Sequence, residues 1–194
     1  MSTHSPKAED ILQCARSLIL AGGYDGFSYA DISKVVGIRN ASIHHHFPAK
    51  ADLVRALVAA HRENAEAGIA QLDRNIADPV DRLRAYVGYW ETCIGDTSVP
   101  FCVCALLAGQ LPSLPGPVAD EVRGYFRSLA AWLASVLERG AAQRRIRLIG
   151  TAQSEAEVFM ATIHGAMLSA RAYGDPAMFG VITRQLLDRL VVRK

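Results

Sequence analysis

Apolar residues recur along this chain at intervals of three and four, the spacing of one face of a helix. Sustained alternation of the kind a half-buried strand needs is nearly absent. Ile11, Ala15, Leu18 and Ile19 mark a first helix ending at Gly22-Gly23, after a polar start, MSTHSPKAED, that is expected to fray. Ala30, Ile32, Val35 and Val36 mark a short second helix, and a third runs to Phe47, where Pro48 halts it. A long helix opens near Lys50 with Leu53, Leu57, Ala60, Asn64 and Ala67 along one side. Asp78-Pro79 opens the next, carrying Leu83, Tyr86, Val87 and Trp90. A short apolar piece, FCVCALLAGQL, lies between two prolines, and LPGPVADEV starts a long helix through Phe126, Leu129, Leu133 and Leu137 to near Gly140. Two final helices span about 153–173 and 176–192, separated by Gly174-Asp175-Pro176. The pattern predicts an all-α fold of about nine helices, without internal repeats.

Composition narrows the function less than the pattern does. With 194 residues, 51% of them hydrophobic, the chain can bury a sizeable core in one or two domains. A net charge of +2 gives no basic stripe, so bulk charge does not point to nucleic acid; two copies of a modest phosphate-contact surface would offset this. No apolar run is long enough to span a bilayer and no charged-then-apolar leader opens the chain, so a cytoplasmic protein without membrane contact is expected. Cys14, Cys93, Cys102 and Cys104 then read as thiols.

The segment from Ser28 to Asp52 carries the functional signal. Ser28 is a strong N-cap residue, and Asp31 adds negative charge at the positive end of the helix. Gly37 allows the chain to reverse, and Asn40 can cap the next short helix. This is helix-turn-helix grammar, in which the helix after the turn enters the DNA major groove. The longer stretch AGGYDGFSYADISKVVGIRNASIHHHFPAKADL resembles the N-terminal domain of TetR-family transcriptional regulators. The matching positions are Gly23, Tyr24, Ser28, Ile32, Gly37, Ile38, His46, Phe47 and Lys50, and His44 stands where the family usually has Tyr. The resemblance implies a DNA-binding domain over 1–52, with the helix-turn-helix at about 29–48, and a ligand-binding and dimerisation domain over 53–194. No flexible linker separates these halves, so the boundary falls inside the helix from Lys50, and a shift in one half would pass to the other as rigid-body motion.

In helix-turn-helix docking the first turn of the second helix faces the groove. Arg39 can pair with guanine or phosphate, Asn40 with adenine if capping does not use it, and Ser42 with either, while Ala41 can touch a thymine methyl. Lys50 and Ser28, at helix starts, are candidate phosphate contacts, and Lys34 is a further one. His44 and His45 are placed near phosphates and His46 under Phe47. Consecutive helical residues diverge by ~100°, so His44-His45-His46 does not converge on one metal ion, and no metal or cofactor is expected.

The resemblance also implies a pocket for a small effector in the C-terminal half. A mostly apolar cavity suits a largely apolar molecule. Its candidate lining is Tyr86, Tyr89, Trp90, Cys102, Gln110, Phe126, Phe159, Met160 and His164, though aromatics at helical spacing equally suit a solid core. Cys102, near a helix start, is a candidate redox or electrophile sensor, and equally a small buried residue; Cys104 shares that ambiguity. Gly165, Ala166, Ser169 and Ala170 form a small-residue face, and Ile182, Leu186 and Leu190 lie on an apolar stripe. In the family, these last two helices form a four-helix interface, so a twofold homodimer on a palindromic double-stranded operator is expected. The function expected is a one-component repressor released by its effector. The alternatives are a Cys102 thiol switch and a helical enzyme, the latter lacking any visible set of catalytic partners.

Overall fold

The computed structural model describes residues 5–95 and 101–192, and among them every regular element is a helix. The helices are α1 (Pro6–Gly22), α2 (Tyr29–Val36), α3 (Asn40–His46), α4 (Lys50–Asn75), α5 (Pro79–Gly95), α6 (Val103–Ala108), α7 (Gly116–Ala142), α8 (Ala152–Tyr173) and α9 (Ala177–Leu190). A 3₁₀ turn over Leu111–Ser113 follows α6. The predicted all-α class is what the structure has. One departure concerns the start: α1 begins at Pro6, because Ser5 caps it, its Oγ accepting from the Ala8 amide, and Pro occupies a first-turn position where no amide is needed. Another concerns the end, where α9 stops at Leu190. Val192 N–H donates to Arg145 O and Arg147 N–H to Leu190 O, so the last residues pair with the α7–α8 loop instead of continuing the helix.

The chain forms two compact units. The first takes residues 1–63 and 103–125, that is α1–α3, the start of α4, α6 and the start of α7; the second takes 64–102 and 126–194. In the first, Ile11, Ala15, Ile19, Ile32, Ile43, Leu53 and Val54 are fully buried. In the second, Leu83, Leu133, Leu137, Phe159, Ile163 and Phe179 fill the centre. Ile11, Ala15, Ile19, Ile32, Leu53, Leu83, Leu133 and Leu137 are positions that the three-four spacing marks, since one apolar stripe per helix must leave water.

A buried arginine closes the α4–α5 corner of the second unit. The last carbonyls of a helix have no partner within it. Arg82 reaches back from α5 to supply one, its Nη2 donating to Asp73 O at 3.1 Å and its Nε to Ile76 O. Its Nη1 lies 3.0 Å from the Asp73 carboxylate, which also accepts from Trp132 Nε1 at 3.2 Å. Asp78 holds the start of α5 by accepting from the Val80 and Asp81 amides, and pairs with Arg145 at 3.1 Å. Arg82→Ala removes donors from two carbonyls and a charge from Asp73, so unfolding free energy should fall by about 2–3 kcal/mol. Arg84 pairs with Asp81 in solvent, and Arg84→Ala should cost under about 0.5 kcal/mol. Denaturant midpoints of the two variants check this, and equal costs would contradict it.

Candidate functional site

The helix expected to read DNA has only seven residues, too few to persist alone, so its neighbours must set its direction. Gly37 ends α2 in the left-handed region at φ 70°, and Ser33 Oγ donates to Ile38 O across the turn. Ile43 turns inward with no exposure. Tyr29, the first residue of α2, donates from its hydroxyl to Phe47 O at 2.8 Å and so fixes the far end of α3. His44 packs edge-on against the Tyr29 ring, 4.7 Å between centroids. Its Nδ1 is 3.1 Å from Pro48 O, and since a carbonyl only accepts, Nδ1 carries the proton there. Thus the residue that departs from the usual Tyr still ties α3 to its neighbours.

Arg39, Asn40, Ala41 and Ser42 are all exposed at the start of α3, where Ile43 follows them into the core. The cap position of α3 is Arg39 rather than the expected Asn40, and it makes no side-chain cap bond. The Asn40 amide is therefore not consumed by capping, the condition on which its base-reading role depended. Lys34 and His45 are exposed as well, and His46 is half-buried and tilted against Phe47 at 6.4 Å.

The two residues expected at phosphates through helix starts are more engaged than the sequence suggests. Asp31 accepts from both the amide and the hydroxyl of Ser28, at 2.7 Å each, so the Ser28 hydroxyl proton is already used. Those two bonds, the side-chain one foremost, hold the Asp31 carboxyl below its usual range. Lys50 Nζ turns inward, donating to Phe27 O at 2.6 Å and lying 4.3 Å from the Phe27 ring centre and 4.9 Å from that of Tyr24. Burial lowers its pKa, against the raising effect of Asp25 and Asp31. What Lys50 offers a phosphate is its charge at short range and its amide at the start of α4.

Gln110 has a role that spacing did not reveal. The resemblance placed it in the pocket, but it belongs to the first unit and its Oε1 accepts from the Tyr24 amide at 2.9 Å. Gly23 makes this possible: its φ is 75°, and a Cβ there would lie 2.5 Å from Gln110 Nε2. The signal was the Gly23-Tyr24 pair, whose partner lies 86 residues away in sequence.

In the second unit, Tyr86, Trp90, Cys102, Phe159 and Met160 are buried, and Phe126 and His164 half-buried. Tyr86 packs against Trp132 and Phe159 with centroids 5.5 and 6.5 Å apart, and Phe126 against His164 at 5.1 Å. Tyr89 is 57% exposed on the outer side of α5, so it leaves the pocket set with Gln110. Cys102 has no exposed surface, and no disulfide joins the four cysteines. On α8, Ala166 and Ala170 are buried, as are Leu186 and Leu190 on α9, so they pack within the chain, while Ser169 and Ile182 are half-buried. The outward stripe on α8 is instead Val158, Ala161, Gly165 and Leu168, with Val181 exposed on α9.

With this geometry in place, comparison with known proteins is decisive for class. The pattern described as "Bacterial regulatory proteins, tetR family" matches residues 11–57, and the "Tetracyclin repressor-like, C-terminal domain" pattern matches 79–186. A transcriptional regulator of the TetR family from Agrobacterium tumefaciens is 66% identical, over 96% of this chain and 98% of that one, with a TM-score of 0.94. A TetR regulator from Legionella pneumophila is 26% identical, over 97% and 100% of the two chains, with a TM-score of 0.86. A regulatory protein TetR from Rhodobacter sphaeroides shares the fold, at 20% identity over 96% and 100% of the chains and a TM-score of 0.87. Among curated proteins, none matches. A helix-turn-helix built on α2 and α3, joined to this helical C-terminal half, defines a DNA-binding transcriptional regulator. The chain belongs to the TetR family of transcriptional regulators. No helix of the described residues is long and apolar enough to cross a membrane.

Tyr29 supplies a pH test of how α3 is held. Burial, with the Asp52 charge and Tyr24 adding to it, raises its pKa from 10 to about 12. A raised folded pKa gives stability that is complete below the unfolded value and is lost as pH climbs through the folded one. Tyr29→Phe should cost about 1 kcal/mol at neutral pH through the lost bond to Phe47 O. The deficit should shrink as pH rises from 10 to about 12, since only the wild-type unfolded chain gains an ionised Tyr29. Denaturation of both proteins across that window measures it; a constant gap would contradict the hydroxyl's bond to Phe47 O.

Proposed function

We propose that this regulator is a homodimeric, cytoplasmic repressor that sits on a palindromic operator with one α3 in each of two successive major grooves. The observation that carries this reading is the polar edge Arg39, Asn40, Ala41 and Ser42. It is exposed, and its side chains take part in no hydrogen bond among the described residues, while Ile43 behind it is fully buried. Arg39 and Asn40 read base edges, Ser42 a base or phosphate, and Lys34, His44, His45, Ser28 and the start of α4 at Lys50 face the backbone. Several phosphate contacts from each copy make up for a net charge of only +2 per chain.

The dimer forms through α8 and α9, by the outward stripe of Val158, Gly165 and Leu168 on α8 together with Val181 on α9, since exposed apolar side chains grouped on a surface ask for a partner. The effector is a small, largely apolar molecule held among Tyr86, Trp90, Phe126, Phe159, Met160 and His164. It releases the operator to the extent that it binds the non-binding conformer more tightly. A Cys102 thiol switch has less support, because a thiol with no exposed surface does not meet an oxidant in solution.

A gel shift with the DNA flanking the protein's own gene tests the operator. A single palindrome should be retained, with an affinity that falls roughly 10³-fold or more between 50 and 200 mM salt. Leu168→Glu should convert the dimer to a monomer by light scattering and weaken operator binding at least about 100-fold, because half-site binding loses its avidity. A monomeric wild type that binds as tightly, or the absence of any retained palindrome, overturns the proposal.

A further inference from the structure

The interior of the second unit contains almost no charge. Among the described residues the buried charged or hydroxyl side chains, tyrosine aside, are Arg82 and Thr183. Arg82 is committed to the Asp73 carboxylate and to two carbonyls, and Thr183 donates to Phe179 O one turn back. Three polar atoms remain buried there with no hydrogen bond of ordinary geometry: Tyr86 Oη, Trp90 Nε1 and His164 Nε2. Tyr86 and Trp90 are one turn apart on α5, both more than nine-tenths buried, and the phenol faces Phe159 of α8 and Trp132 of α7. His164 joins the same three-helix assembly through Phe126 of α7.

The chemistry of these three groups restricts what can satisfy them. The indole N–H only donates, and the phenol hydroxyl can donate and accept. If the indole proton is given to the phenol oxygen, the phenol proton still needs an acceptor. Burial already holds that proton firmly, raising the Tyr86 pKa, with the neighbouring indole the next, opposing influence. A carboxylate ligand would find no buried cation here, and an ammonium no buried anion, so either would lose its hydration without a counter-charge. Phe126, Trp132 and Phe159 line the same interior, and aromatic rings pack against one another edge-on or offset.

Resting on the reading that this interior holds the effector, we propose that the effector is an uncharged aromatic molecule whose carbonyl oxygen accepts from Tyr86 and Trp90. His164 takes a second polar group at the other flank, in either role.

Three probes of similar shape separate the possibilities when titrated calorimetrically against the full-length protein: acetophenone, α-methylstyrene, in which the carbonyl becomes a methylene, and benzoate. Acetophenone should bind about tenfold or more tightly than either of the others, the worth of roughly one buried hydrogen bond. In Tyr86→Phe and Trp90→Phe, which keep the rings, the preference for acetophenone over α-methylstyrene should shrink toward parity while α-methylstyrene affinity holds. The wild-type comparison stands even if a variant folds poorly. If α-methylstyrene or benzoate binds as well as acetophenone, the pocket reading survives and the carbonyl assignment falls. If none of the three binds, the pocket reading falls and the assignment with it.

Discussion

The ammonium of Lys50 lies against two aromatic rings and donates to the Phe27 carbonyl, and the DNA-reading apparatus depends on that contact. Lys50 opens α4, Phe27 closes the approach to α2, and Tyr24 sits in the turn after α1. A seven-residue helix such as α3 has no stability of its own to spend on holding a direction. It inherits one from the frame around it: Lys50 at the start of the next helix, the Tyr29 hydroxyl on Phe47, and His44 between Tyr29 and Pro48. Gln110 extends the frame by holding the Tyr24 amide, at the one place where Gly23 leaves room for it. A lysine that counts as a phosphate contact from sequence is, in the folded chain, first a structural cation.

The second unit follows the opposite logic. Its corner is fastened by charge, with Arg82 and Asp73 at the α4–α5 junction, and its interior is kept free of it. The few polar atoms left inside, on Tyr86, Trp90 and His164, make no hydrogen bond of ordinary geometry within the described chain. Buried polar groups are costly unless matched, so such a set is more readily understood as a recognition surface than as packing. On the proposed reading the two units divide the work of a regulator: one would present polar groups to a nucleic acid, the other to a neutral small molecule.

Much of this was legible in the sequence, because three-four spacing, glycine stops and proline starts are local signals. The all-α class and the turn at Gly37 follow from them. What stayed hidden was long-range or depended on small rotations about a helix axis. Gln110 reaches Tyr24 across 86 residues, and Arg82 serves carbonyls of the helix before its own. Tyr89 and Tyr86 differ by three positions on α5, yet one is exposed and the other buried. On α8, Ala166 and Ala170 face inward while Gly165 and Leu168 face out, a distinction of one residue that spacing of small side chains alone does not make. The cap of α3 moved by one residue, from Asn40 to Arg39, and that single step leaves the Asn40 amide available to a base.

The central claim is that the Arg39–Ser42 edge reads bases while the residues around it hold it in place and meet the phosphate backbone. Selection of bound sequences from a library randomised across the operator, for the wild type and for Asn40→Ala, tests this most directly. The account predicts that Asn40→Ala relaxes preference at one symmetry-related pair of positions, costing about 1–3 kcal/mol of discrimination there, and leaves the other positions unchanged. An unchanged preference at every position, or a uniform loss of binding across all sequences, would contradict it.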